Sequence, residues 1–209
     1  MRNVNKIKRW CTALLGATVL AACSDDSGSP LAPTATRGAL GLAAGEVATT
    51  VFTVGQWGGK FSLAGGHVIR FESNAICDPL TSGYGPSTWN LPCSPSRLPI
   101  TITATSWTDA SGHARVDFVP DLRFVPTSSG SRVTLQLRDR DAVQSTAALF
   151  YCPTVGECID ESLTDPTLSS KRDSRSGWVY RDIKHFSGYN VSTGRSYTAE
   201  ESISDAEAF

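Results

Sequence analysis

From Val47 onward the apolar positions of this chain recur with a period of two. Ile100, Ile102 and Ala104 alternate with Thr101, Thr103 and Thr105, and Ala114, Val116 and Phe118 alternate with Arg115 and Asp117. Val133, Leu135 and Leu137 do the same against Thr134, Gln136 and Arg138. Successive side chains of an extended chain point to opposite faces, so each run predicts a strand with one dry and one wet face. Further strands are expected over Val47–Val54, 59–63, 67–71, 147–152 and 177–191. Turn signals such as Ala64-Gly65-Gly66, Ser111-Gly112 and Ser128-Ser129-Gly130 divide them. No long segment carries an apolar stripe of helical period. The pattern therefore predicts an all-β protein, a single antiparallel β-sandwich over residues 47–193. Roughly 150 residues bury close to two thirds of their unfolded surface, enough for one core.

The flanks lack this pattern. Arg2, Lys6, Lys8 and Arg9 form a basic leader, and Trp10 to Leu20 form an apolar core of secretory-signal length, too short to span a bilayer. The leader ends in Leu20-Ala21-Ala22-Cys23, which resembles the bacterial lipobox, whose Cys receives a diacylglycerol before the peptidase cuts ahead of it. An ordinary signal peptide cut elsewhere is the competing reading. The resemblance implies residues 1–22 as signal peptide and Cys23 as the lipidated first residue of the mature chain. Several acyl chains on Cys23 would anchor it stably, where one chain gives only marginal membrane residence. Ser24 is similar to the residue that follows the Cys in outer-membrane lipoproteins, so the expected location is the outer membrane, facing the periplasm or the cell exterior. Residues 23–46, rich in Ser, Gly, Ala, Thr and Pro, read as a flexible tether reaching about 25–30 Å. Residues 194–209 carry Glu200, Glu201, Asp205 and Glu207 and read as an acidic, solvated tail.

Charge narrows the partners. The 19 Lys and Arg against 20 Asp and Glu give a net charge of -1, and loss of the leader leaves 15 basic side chains against the same 20 acidic ones. That is not the basic footprint of a nucleic-acid binder, so the expected partners are the membrane, through Cys23, and a protein or glycan. Four cysteines remain after the leader and Cys23: Cys77, Cys93, Cys152 and Cys158. An even number in an oxidising compartment suggests disulfides, and of the three possible pairings the two local ones, Cys77 with Cys93 and Cys152 with Cys158, are favoured. The first would close a loop of about 15 residues and contribute about 3 kcal/mol by restricting the unfolded chain. A zinc site competes weakly, because no close Cys pair exists and only His67, His113 and His185 are left to complete it. No metal and no cofactor are expected.

A family resemblance emerges at the residues that frame the strands. Gly65-Gly66-His67-Val68-Ile69-Arg70-Phe71-Glu72-Ser73-Asn74-Ala75-Ile76 resembles the opening of the ZU-five domain of zonula occludens proteins, netrin receptors and ankyrins. There a Gly-led strand runs into an Ile-Pro-x-Gly-Ala-type corner, of which Ala75-Ile76 is kept here and the Pro and Gly are not. Leu122-Arg123-Phe124-Val125-Pro126 is similar to that family's Phe-x-x-Pro lead into an apolar strand, and His185-Phe186-Ser187-Gly188-Tyr189-Asn190-Val191 to its closing His-Phe-Ser strand. The likeness covers most of residues 59–191. The cysteines and the long loop between Cys77 and Cys93 depart from the animal domains.

Three constellations bear on chemistry. In His185-Phe186-Ser187, period two places His185 and Ser187 on one strand face, about 6.5–7 Å apart. Some ZU-five domains, and related self-cleaving domains of adhesion receptors, cut themselves at such a site: the hydroxyl attacks the preceding carbonyl, the His takes its proton and water opens the ester. The resemblance thus implies His185 and Ser187 as the residues of self-cleavage after Phe186. The plainer reading is an uncut closing strand with His185 and Ser187 exposed and Phe186 in the core, since cleavage also needs strain at the bond. Second, the loop from Cys77 to Cys93 is rich in Gly and Pro and carries Tyr84 and Trp89, which either meet a partner or fold back to anchor the loop. Third, Glu157, Asp160, Glu161 and Asp165, with Asp139 and Asp141 before them, match no calcium loop and are expected to form a solvated surface. No Gly-x-Ser-x-Gly elbow supports a hydrolase. The expected function is a lipid-anchored, non-catalytic binding or structural module of the cell envelope, with self-processing as the alternative.

Overall fold

The computed structural model describes residues 42–192 apart from positions 44, 129, 145, 155 and 156. The leader with Cys23, all of the tether before Leu42 and the tail 194–209 lie outside the described residues. Thirteen strands are described: β1 Val47–Val54, β2 Gly59–Ser62, β3 Val68–Phe71, β4 Ile100–Thr108, β5 Ala114–Val119, β6 Pro126–Thr127, β7 Gly130–Ser131, β8 Val133–Arg138, β9 Ala148–Thr154, β10 Glu157–Ile159, β11 Lys171–Asp173, β12 Trp178–Asp182 and β13 Gly188–Ser192. They form a six-stranded sheet in the order β1-β4-β5-β13-β9-β10, a five-stranded sheet in the order β11-β12-β8-β3-β2, and a small β6-β7 ribbon. All described pairings are antiparallel, and the two large sheets pack face to face as a sandwich. Among the described residues no helix is long and apolar enough to cross a membrane.

The alternation in the sequence sets the two inner faces. Val133, Leu135 and Leu137 of β8 are buried while Thr134, Gln136 and Arg138 between them are only half-buried. Ile102 and Ala104 of β4, Val116 and Phe118 of β5, and Ile69 and Phe71 of β3 close the core from both sheets. Each buried aliphatic or aromatic side chain of this kind stabilises the fold by about 1.5–3 kcal/mol.

One expected strand is in fact two. Val179, Arg181, Ile183, Tyr189 and Val191 share one phase, with Phe186 buried out of it, yet β12 pairs with β8 in one sheet and β13 with β5 and β9 in the other. Period two reports which face a side chain takes, and it does not report a change of sheet. Between them, residues 183–187 cross from sheet to sheet. The Ile183 N–H donates to the Val133 carbonyl (2.9 Å), the Phe124 N–H to the Lys184 carbonyl (2.8 Å) and the Phe186 N–H to the Leu122 carbonyl (2.6 Å), so the crossing keeps its backbone paired.

Both local disulfides are present. Cys77–Cys93 spans a Cα separation of 5.6 Å at the base of the long loop, and Cys152–Cys158 links β9 to β10 at 4.1 Å. Non-reduced peptide mapping is therefore expected to recover these two cross-linked pairs. Replacing Cys77 and Cys93 together by Ala should lower unfolding stability by about 2–4 kcal/mol in a denaturant titration. A Cys77–Cys152 peptide, or an unchanged midpoint, would contradict this assignment.

Candidate functional site

The sheet crossing at residues 183–187 positions the site. Phe186 enters the core, stacked on Phe118 at 4.3 Å and edge-on to Phe124 (4.9 Å) and Phe71 (6.0 Å). His185 and Ser187 on either side of it meet the loop from Cys77 to Cys93 instead. The His185 ring is wholly buried and lies flat against Trp89, with ring centres 3.5 Å apart.

Charge beneath that stack fixes the imidazole. His185 Nε2 stands 2.9 Å from Glu161 Oε1, and the second Glu161 oxygen pairs with the Arg181 guanidinium. Arg181 Nη1 donates to the Leu149 carbonyl at 3.0 Å, which ties β12 of one sheet to β9 of the other through a fully buried side chain. Burial pushes the Glu161 carboxyl up, but the hydrogen bond from His185 and the charge of Arg181 outweigh it and hold the group below the ordinary carboxylate range. An ionised carboxylate only accepts, so Nε2 carries the hydrogen of this contact. Nδ1 is buried and has no hydrogen-bond partner among the described residues.

The loop is fastened at several points. Arg123, itself buried, donates through Nη1 to the carbonyls of Thr88 (2.6 Å) and Leu91 (2.7 Å). Lys184 reaches Asn90 Oδ1 at 2.5 Å and pairs with Asp165. Trp89 is half-buried against His185 and Tyr151, and Tyr84 lies edge-on to both Trp89 and His185. The Tyr84 hydroxyl donates to the Phe186 carbonyl and lies 3.1 Å from Ser187 Oγ. Burial, helped by the nearby Asp121 charge and opposed by the Ser187 contact, pushes the Tyr84 phenol up to about 12, so it remains a donor at neutral pH. Ser187 Oγ donates to the carbonyl of Phe186 at 2.8 Å.

The structure thus brings His185, Ser187, Tyr84 and Trp89 together, with no hydrogen bond between His185 and Ser187 among the described residues. The acidic set divides. Glu161 and Asp139, expected in solvent, are buried, and so is His185, exposed on the plainer reading: Arg181 and His185 replace the water that Glu161 loses, and Asp165 pairs with Lys184. Arg181 was legible in part: it falls between Val179 and Ile183, in phase with buried positions, and a charge at an inward position needs a partner. Glu161 lies in a short turn and carries no such signal.

Elsewhere, His113, Asp139 and Asp141 bring one ligand atom each within 4.8 Å of one another, a set the sequence pattern did not reveal. Asp139 already accepts the N–H groups of Ala114 and Asp141, each at 2.8 Å, as the cap of the turn Arg140–Val143. Beside Ser187, on the outer face of the six-stranded sheet, lies an open groove of about 250 Å³ that includes Trp107, Arg115, Asp117, Asp121 and Gly188.

No protein-family model, no curated protein and no solved structure matches this chain.

The Glu161 cluster has a definite pH signature. A carboxyl lowered by folding contributes stability that is full above its ordinary value of 4.5 and is lost as pH falls through the lower folded value. Thermal unfolding from pH 7 down to pH 3 should therefore show Tm falling below about pH 4.5. Glu161→Gln should lower stability at pH 7 by about 3–5 kcal/mol, since it leaves Arg181 buried without a counter-charge, and should flatten the acid limb. A variant with an unchanged midpoint and an unchanged acid limb would contradict the cluster.

Proposed function

We propose that this chain is a lipoprotein anchored through Cys23 in the outer membrane, displaying a ZU-five-like sandwich that works by binding rather than by turnover. The observation that carries this reading is the groove beside Ser187. It is an open concavity of about 250 Å³ with aromatic, cationic and anionic walls on a sheet, and a concavity with a few convergent polar groups is the default place for a ligand. The neighbouring loop, which does not line the groove, is held by a disulfide, by Arg123 and by the Trp89 stack on His185. The ZU-five likeness adds the expectation of a display domain, and the lipobox adds the address.

A second reading, self-processing, is favoured by one contact: the Tyr84 phenol donates to the Phe186 carbonyl, where negative charge would develop during cleavage. In that reaction the Ser187 Oγ to Phe186 carbon bond forms as the Phe186 to Ser187 C–N bond breaks. The hydroxyl proton passes by way of a base to the freed amine, and water then opens the ester. Against it, the Ser187 hydroxyl donates to the carbonyl oxygen rather than to His185, and the His185 Nε2 is held by Glu161.

Intact mass spectrometry of membrane-extracted protein tests both readings. The expected result is one uncut chain carrying lipid mass on Cys23, with Cys23→Ser unlipidated and Ser187→Ala lighter only by its missing oxygen. Full lipid mass on Cys23→Ser would overturn the anchor. A fragment beginning at Ser187, abolished by Ser187→Ala and slowed by His185→Ala, would replace binding with self-processing.

A further inference from the structure

Three arginines are buried among the described residues, Arg115, Arg123 and Arg181, and two of them are held by strong acceptors, although the Nε of each of these two has no partner. Arg123 grips two loop carbonyls, and Arg181 has Glu161 and the Leu149 carbonyl. Arg115 is different. It is only 9% exposed, yet no carboxylate lies within salt-bridge distance of it among the described residues. Its contacts are the sulfur of Cys158, 3.4 Å from Nη2, and the Trp107 ring, 5.9 Å from the guanidinium carbon. A disulfide sulfur is a weak acceptor, and none of the Arg115 nitrogens is both buried and unbonded among the described residues, so the rest of its fork reaches solvent. Arg115 forms part of the groove wall, and a carboxylate there would be a stronger acceptor for it than the sulfur is.

The opposite charge stands two residues along the same strand. Asp117 belongs to β5 with Arg115, and period two puts both on the outer face, about 6.5–7 Å apart along the strand. They do not pair with each other, and both line the groove, with Asp121 beyond them. Gly188 keeps the floor open: a Cβ there would lie 2.8 Å from the Cys152 carbonyl oxygen and 3.9 Å from Asp117 Oδ1. Trp107, Val119 and Pro153 supply apolar wall. A lone anion would meet Arg115 but also two carboxylates, and a lone cation would meet the carboxylates but also the guanidinium.

We propose that this groove binds the α-amino-acid moiety of a ligand, its carboxylate on Arg115 and its ammonium on Asp117 and Asp121, with an apolar side chain against Trp107. Both charged groups of such a moiety hang on one carbon, which suits two opposite charges held apart on one strand face. The planar guanidinium takes a carboxylate through two parallel hydrogen bonds. The inference rests on the binding reading above and gives it a ligand class.

Calorimetric titration of the extracted full-length protein with L-phenylalanine, 3-phenylpropionate and 2-phenylethylamine dissects the two charges. L-Phenylalanine should bind at least tenfold more tightly than either partial analogue. Asp117→Asn lies on the exposed strand face and is expected to keep the fold, checked by an unchanged Tm; it should reduce phenylalanine to the affinity of phenylpropionate. Arg115→Gln, if it folds, should reduce it to that of phenylethylamine. Equal binding of phenylpropionate and phenylalanine would overturn the zwitterion while leaving a binding groove in place. Silence toward all three probes would overturn the ligand class, and the binding reading itself would fall separately if the mass spectrum showed the chain cut at Ser187.

Discussion

The buried guanidinium of Arg181 is the constraint around which this sandwich is organised. It sits on β12 in the five-stranded sheet, reaches the Leu149 carbonyl in the other sheet and needs an anion that water no longer supplies. Glu161 provides that anion from a short turn between β10 and β11, and its second oxygen takes His185. His185 in turn gives Trp89 a flat surface, so the loop closed by Cys77–Cys93 rests on a chain of contacts that begins with one charge. Hydrophobic burial supplies the larger share of stability, but burial alone does not say where a seventeen-residue loop should lie. The ion set does.

Much of the fold could be read in the sequence because a sheet with one dry face writes its period directly into the chain. β4, β5 and β8 fall where Ile102, Val116 and Leu135 alternate with polar neighbours, and their buried faces are the ones the alternation names. The local disulfides were also favoured from spacing and compartment. The crossing at 183–187 was hidden, because Val179, Arg181 and Ile183 stay in phase with Tyr189 and Val191 while the chain changes partners. β10 and β11, each three residues long, are too short to show a period.

The site was legible as residue types and illegible as a network. His185 and Ser187 attract attention because their spacing suits a base and a nucleophile, and Tyr84 and Trp89 because aromatic side chains in a clipped loop have two plausible fates. Which fate applies depends on Arg123, Lys184 and Glu161, three charges whose partners in these contacts lie 24 to 94 residues away in sequence. Long-range pairings of this kind leave no local pattern. Arg115 is the same problem seen from the wet side, since its alternation with Val116 places it outward while its neighbours bury it.

Ser187 stands where the two chemistries of this surface meet. Its hydroxyl touches Tyr84 and the Phe186 carbonyl under the loop, and the same residue borders the groove. The backbone around it is held from both sides: the Phe186 N–H by Leu122, the Phe186 carbonyl by Tyr84 and Ser187, and the His185 carbonyl by the Tyr189 hydroxyl at 2.9 Å. These hydrogen bonds keep Gly188 and β13 in register beside the groove. Attack by Ser187 would require its hydroxyl to leave the carbonyl oxygen for the carbon, while the Tyr84 donor stays on the oxygen where charge would develop. The proposed self-processing therefore has to break the Ser187 contact, whereas the proposed binding leaves every contact of this peptide as it is.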